Sequence, residues 1–407
     1  MHIKHFESRR EGFGHVLGFI GLILCASVVV IAGTYVYRKQ AKQPNNSEEA
    51  ASSSLDNSWL KDCSSNERVS MQNLPMDIEN VDSISPYGLT AGAHVTPIDH
   101  LYFYPKNSDR DAFPVYAMAD GYIVEVGARG VMVDSGESRP PEYRIIFQHS
   151  CQTVSYFDLV TKLDDIIAKQ VGDLGSNGSK GSLRIPVKAG QEIGRIGAQS
   201  LDTAVYNFSI TLPGFIHPEM YESEPWKVHT DDFYSYFSSS LQDKMLSKST
   251  RQAKPYSGKI DYDIPGKLIG NWFKEGTNGY AGVSGSGGGT GSNGYWVGHL
   301  ALLYYANDPQ YIIISLGDYQ GSPKAFAVKG NTPDPATIGV DSGVVKYELI
   351  EAPNGGGGSV SINQNSQVQA TALFQVLENE KLKTEVFPGQ SGAEITGFTD
   401  KALSYER

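Results

Sequence analysis

The chain has 407 residues, enough for two folded units and an anchor. Its 34 Lys and Arg against 45 Asp and Glu give a formal net charge of -11; this excludes a nucleic-acid partner, because phosphate recognition needs clustered cations that this chain lacks. Tyr (23) far exceeds Met (7) and Gly reaches 44, a balance that favours strands and turns over helical packing.

In chain order, residues 1–15 read as a short cytoplasmic N-terminus and Val16 to Tyr37 as an uncharged run, VLGFIGLILCASVVVIAGTYVY. At about 1.5 Å per residue this run is long enough to cross a hydrocarbon core of roughly 30 Å. Tyr35, Tyr37, Arg38 and Lys39 close it with the aromatic and basic residues that suit a headgroup layer. No A-x-A site follows, and Leu24 before Cys25 is too large for lipoprotein cleavage, so the expectation is an uncleaved signal-anchor. Lys4, Arg9 and Arg10 on one side and Arg38, Lys39 and Lys42 on the other give little orienting bias. Long domains translocate largely regardless of flanking charge, so the bulk of the chain is expected outside the cytoplasm of a single-pass cell-membrane protein.

Residues 38–60, polar and small, cannot bury enough surface to fold and read as a disordered stalk. With Cys25 in the anchor, Cys63 and Cys151 remain as the cysteines outside the membrane. They are a disulfide candidate, although spacing leaves two readings open, a bridge or two free thiols.

Residues 61–246 form the first expected domain, all-β by its alternation of β-branched runs and turns, with one helix over Thr161 to Gln170 whose Leu163, Ile166 and Ile167 share a face. Its landmarks are PVYAMADGYIVEVG (Pro114 to Gly127), a strand ending in His149, SYFDL (Ser155 to Leu159), VKAGQEIGRIG (Val187 to Gly197) and VYNFSI (Val205 to Ile210). In that order, over about 88–212, they resemble the lysostaphin-type zinc endopeptidase domain. The resemblance implies an antiparallel β-sandwich and hydrolysis of peptidoglycan cross-bridges.

The family's zinc ligands are a His, an Asp four positions later, and the second His of an HxH strand, leaving a fourth site for an activated water. Here the matching Asp is Asp99, but Val95 stands four before it and His94 is displaced by one. The HxH strand reads Val205-Tyr206-Asn207, and Asp158 stands at the family's other catalytic His. Since strand side chains alternate faces, a one-residue displacement is not neutral. Catalytic candidates, if the chain is active, are Asp158 and His149; metal candidates are His94, Asp99, His100 and Asn207. Read singly, His149 is a satisfied strand-end residue, and Asp99 and His100 hold a turn. His217 and His229 fall in a loop that packs rather than binds metal.

Before residues 247–258, which read as a linker, DDFYSYFSSSLQDKML suggests an amphipathic helix. The second domain, 259–407, offers about eight strands: LIGNWF, HLALLYY, YIIISLG, KAFAVKG, VVKYELIEA, TALFQVLE, KLKTEVFPG and EITGFTDKALSYER. The glycine-rich tracts Gly282 to Gly294 and Asn354 to Ser359 read as hairpin loops. Eight strands suggest a closed barrel, since closure removes edges that would otherwise aggregate. Gly270-Asn271-Trp272 in its first strand and Arg407 after its last resemble the lipocalin-like barrels, which implies that Trp272 closes one end with Arg407 packed over it.

The fold class expected is therefore mainly β: an N-terminal transmembrane helix, a lysostaphin-like antiparallel β-sandwich, then a β-barrel. The functional expectation is a peptidase-like pseudoenzyme that binds or scaffolds cell-wall glycan, peptide or another envelope protein, without a cofactor. Two alternatives stand beside it: a zinc-dependent cell-wall endopeptidase with a shifted site around His94, Asp99 and His149, and a carrier of a small ligand inside the C-terminal barrel.

Overall fold

The β-branched and aromatic runs of 81–207 become eleven strands, and the turn residues between them set an antiparallel order. The computed structural model describes residues 59–63, 65–106, 109–132, 138–282, 294–353 and 361–407. The N-terminal segment, the apolar run 16–37, all but the end of the stalk, most of the tract Gly282 to Gly294 and all of the tract Asn354 to Ser359 lie outside these. Among the described residues no helix is long and apolar enough to cross a membrane.

The strands are β1 (Val81–Ser85), β2 (Leu101–Pro105), β3 (Phe113–Tyr116), β4 (Gly121–Met132), β5 (Ser138–Gln148), β6 (Thr153–Val160), β7 (Lys162–Leu163), β8 (Ser179–Lys180), β9 (Ile185–Val187), β10 (Glu192–Ile196) and β11 (Leu201–Asn207). The large sheet runs β1-β2-β11-β6-β5-β4, with β8 and β9 both pairing with β4, and a small sheet runs β3-β10-β7. Val115, Ile193 and Ile196 of the small sheet share one core with Ile123, Ile145 and Phe157 of the large one.

Helix α1 (Asp165–Val171) starts where Asp164 caps it by accepting from the Ile166 and Ile167 amides. It buries Ile167 and Val171 while Ile166 is 66 % exposed. This corrects the expected face: Leu163 belongs to β7, because the chain is still extended there and turns only at the cap. The single helix expected over 231–246 is also two pieces, a 3-10 turn at Phe233–Tyr236 and helix α2 (Ser239–Leu246). Phe233, Tyr234, Tyr236 and Phe237 are all buried, and the extended backbone at Phe237 and Ser238 separates the two pieces.

The second half closes into a barrel of eight strands, β12 (Gly270–Lys274), β13 (His299–Tyr304), β14 (Ile312–Tyr319), β15 (Ser322–Val328), β16 (Val345–Glu351), β17 (Ala370–Leu377), β18 (Lys381–Pro388) and β19 (Leu403–Glu406), each antiparallel to the next and β19 to β12. Alternation along the strands divides the apolar residues. Trp272, Leu302, Phe326, Leu349, Phe374 and Leu382 belong to one buried cluster, while Ala301, Leu303, Ile313, Ala327 and Ile350 pack with Leu89, Ile98 and Tyr262. Large side chains, Trp272, Phe326 and Phe374 among them, line the interior of the barrel.

Two boundaries differ from the sequence reading. Trp59 and Leu60, expected at the end of a stalk, pack against the core, and Trp59 Nε1 donates to Glu125 Oε2 at 2.8 Å. Residues 247–258, expected as a linker, are a fastened strap: Arg251 is 2 % exposed and donates from Nε to the Pro255 carbonyl at 2.7 Å and from Nη1 to the Ala306 carbonyl at 2.5 Å. The two sheet systems also share an aromatic seam in which Tyr221 meets Phe215, Phe273 and Tyr280. Cys63 and Cys151 are joined by a disulfide, their Cα atoms 5.1 Å apart and 88 residues apart in sequence. Replacing Cys151 with serine is expected to cost about 2–4 kcal/mol of stability; an unchanged urea midpoint would count against that.

Candidate functional site

On one face of the large sheet, β11 sets Asp202, Ala204 and Tyr206 opposite Asp158, Tyr156 and Val154 of β6. Tyr156 and Tyr206 stack at 5.7 Å, and Arg144 of β5 lies 4.8 Å over the Tyr156 ring. The loop Glu224 to Lys227 and Tyr280 from the barrel side cover this face, enclosing with His94, Asp99 and His100 a groove of about 230 Å³.

Asp99 is the best-engaged group in it. Its Oδ2 accepts from the Tyr206 hydroxyl at 3.1 Å, and its Oδ1 lies 3.1 Å from His100 Nδ1 and 4.0 Å from Lys227 Nζ. Lys227 is itself 2 % exposed; its ammonium donates to the Pro97 carbonyl at 2.7 Å and sits 5.3 Å over the Tyr280 ring. Burial alone would raise the Asp99 carboxyl, but Lys227 and His100 outweigh it and hold it well below the usual carboxylate range. His94 is pushed down to about 4 by burial and by His100 and Lys227, so it is neutral near pH 7. Asp158 Oδ2 takes a 2.7 Å hydrogen bond from Arg129 Nη2 and lies 3.3 Å from Arg144 Nε. Asp202, held 2.9 Å from Ser200 Oγ and 3.6 Å from His100 Nε2, is pushed up to about 7 by burial; burial raises Glu224 as well.

Of the sequence candidates, His94, Asp99, His100 and Asp158 meet in this groove. Two do not. Asn207 looks to the other face and donates from Nδ2 to Asp231 Oδ2 at 3.1 Å; the groove side of that strand is carried by Tyr206, one residue earlier. His149 also belongs to the far face. Its Nδ1 donates to the Asp120 carbonyl at 3.0 Å, so Nε2 accepts from Ser155 Oγ at 2.7 Å, and both ring nitrogens are used. His217 pairs with Glu219 on the surface, and His229 Nδ1 bonds the Ile210 carbonyl. Sequence reasoning missed Arg129, Arg144, Asp202, Glu224 and Lys227. The alternation from Tyr206 back to Asp202 was the available signal for one of them; a buried lysine in a loop gives none.

These donors do not fit zinc. Among the described residues no group of three or more His, Cys, Asp or Glu side chains is placed to hold a metal ion. A phenol stands where an imidazole ligand would be needed, and the ammonium of Lys227 lies beside the carboxylate that would have to ligate.

Fold and groove together define a mainly β protein in which a large antiparallel sheet with a mixed-charge groove is joined to an eight-stranded barrel. No family model matches the chain, and no curated protein matches it. Among solved structures it is similar to a zinc containing peptidase from Vibrio cholerae, at 18 % identity over 35 % of this chain and 38 % of that one, with a TM-score of 0.22. The chain thus spans less than two fifths of that peptidase. It is also similar to lysostaphin, in solution, at 13 % identity over 68 % of this chain and 98 % of that one, with a TM-score of 0.22.

Proposed function

We propose that this chain is a single-pass membrane protein whose folded part, outside the cytoplasm, binds a glycan, a peptide or another protein of the cell envelope without hydrolysing it. The observation that carries the reading is Lys227: a protein-borne cation lies within 4.0 Å of Asp99, the one zinc ligand that the sequence retains in place. A buried ammonium there neutralises the carboxylate permanently, and it cannot polarise a water as an open metal does. The apolar run 16–37 supports the anchor, and the Cys63–Cys151 disulfide supports an oxidising compartment. The test is the full chain, purified in detergent and incubated with peptidoglycan. It is expected to sediment with the polymer, to hold well under one zinc per chain, and to release no fragment. Stoichiometric zinc with release of peptide ends would overturn the reading.

A further inference from the structure

The sheet face that carries the groove continues past it. Ala204, Tyr156, Ile146 and Glu125 stand opposite one another across β11, β6, β5 and β4, and paired residues of an antiparallel ladder point to the same side. The next row on that side is Tyr206, Val154, Gln148 and Tyr122. The groove takes the Arg129 and Arg144 end of this face. From Glu125 to Tyr122 the face is covered instead by the residues just ahead of the disulfide. Trp59 donates to Glu125 Oε2 at 2.8 Å, and the Lys61 carbonyl accepts from Gln148 Nε2 at 3.1 Å and from Arg184 Nη1 at 3.3 Å. Arg184 is aimed by Gln148 Oε1 at 3.1 Å and by the Tyr122 ring, 3.9 Å from its guanidinium carbon.

Trp226 stands at the boundary. It lines the groove, and its ring lies 5.4 Å from that of Trp59. It also belongs to the 3-10 turn Pro225–His229, which carries Lys227. The end of the stalk is therefore in contact with the loop that covers the groove. Its own hold is slight: residues 59–63 form neither helix nor strand, and three hydrogen bonds and one ring contact must offset the entropy of ordering them. The Cys63–Cys151 bond makes up the difference by keeping the segment at high local concentration. Without that bond the next fully buried residue is Met71, which bridges to Phe237. Both cysteines are half-buried, within reach of a reductant.

We infer that residues 59–63 are a redox-released latch on the groove. With the disulfide closed they cover the Glu125 to Tyr122 part of the face and hold Trp226 in place. When a dithiol opens the bond they leave, Trp226 is freed, and the binding surface lengthens across β4 and β5. The exchange passes through a mixed disulfide and ends with two thiols on this chain and a disulfide in the reductant, two electrons and two protons having moved to Cys63 and Cys151. This rests on the binding reading above and adds its regulation.

The test is hydrogen exchange of the full chain in detergent, oxidised and after dithiothreitol, with both samples then titrated with peptidoglycan. After reduction the amides of Trp59 to Cys63 and of Glu224 to Lys227 are expected to exchange about tenfold or more faster, while those of β12 to β19 keep their rates. Trp59→Ala, which leaves the disulfide intact, should speed exchange over Glu224 to Lys227 in the same direction, and Cys63→Ser with Cys151→Ser should match the reduced chain without reductant. The released chain is expected to bind peptidoglycan about tenfold more tightly, because the closed latch leaves a minor fraction competent for the longer surface. Unchanged exchange over Glu224 to Lys227 with both thiols titrated as free would overturn the inference. So would acceleration that extends through the barrel, which would make the bond a general staple, or measurable binding that reduction leaves equal or weakens. If neither form sediments with peptidoglycan while exchange over Glu224 to Lys227 still answers to reduction, the binding reading fails and the latch stands.

Discussion

Replacing Lys227 with methionine is expected to destabilise the protein by about 3–5 kcal/mol, the range found when one partner of a buried ion pair is removed. Methionine keeps much of the lysine's volume and its packing on Tyr280 but leaves Asp99 charged, buried and short of a cation, with the Pro97 carbonyl missing its donor. The double variant Lys227→Met with Asp99→Asn should regain part of the loss, because no uncompensated charge remains; this cycle separates the pair from simple packing. The pH dependence follows from the same contact. Asp99 is held below its unfolded value of about 3.9, so the stability it contributes is present above that value and lost as pH falls through the acid range. In the Lys227→Met chain the depression should shrink, and acid unfolding should lose its steepest component. An unfolding free energy from urea titration within about 1 kcal/mol of the parent's would show that Lys227 is not the counter-ion of the groove.

The barrel was legible because its signals are local. Eight runs of β-branched and aromatic residues, each long enough for one strand, account for the eight that close it. Only the last run was overdrawn: Leu403–Glu406 is strand, while the residues around Ile395 turn through a 3-10 segment. The groove was legible in half. Asp158 belongs to a strand pattern with a fixed frame and Asp99 to the bend just ahead of β2, but the frame of β11 was set by analogy to an HxH strand, and this sequence has no histidine there. A shift of one residue turns every side chain to the other face, so Asn207 was taken for Tyr206 and Asp202 was passed over. Lys227 and Glu224 were invisible for another reason. They come from a loop of 3-10 turns whose path over the sheet is set by packing of Tyr221, Val228 and Phe233, not by any periodic pattern. The strap at 247–258 read as a linker because its composition is polar, yet the buried Arg251 is satisfied by backbone carbonyls, which composition does not record.

Arg407→Ala is expected to cost about as much as Lys227→Met, roughly 3–5 kcal/mol, and to act through the barrel instead of the groove. The guanidinium lies 4.0 Å over the Trp272 ring, and its side chain is 1 % exposed. It donates to the carbonyls of Ile269 at 2.6 Å, Ile264 at 2.7 Å and Lys267 at 2.6 Å, and from Nε to Glu380 Oε2 at 2.9 Å. Gly270 makes room for this arrangement: at φ +123°, a Cβ there would run into the Asp263 carboxylate and the guanidinium. Alanine at 407 would remove the guanidinium donor from the carbonyls of Ile269, Ile264 and Lys267 and the cation beside Asp263 and Glu380, which keep the backbone donors Asn271 and Gly266. Lysine should rescue little, because a single ammonium cannot reach acceptors spread around a planar fork. The near-ultraviolet circular dichroism of Trp272 should weaken in step with the loss of stability, since Arg407 fixes the ring from above while the Nε1 bond to the Leu268 carbonyl holds its edge. If Arg407→Lys unfolds at the parent's urea concentration, the fork geometry is irrelevant and barrel closure rests on Trp272 packing alone.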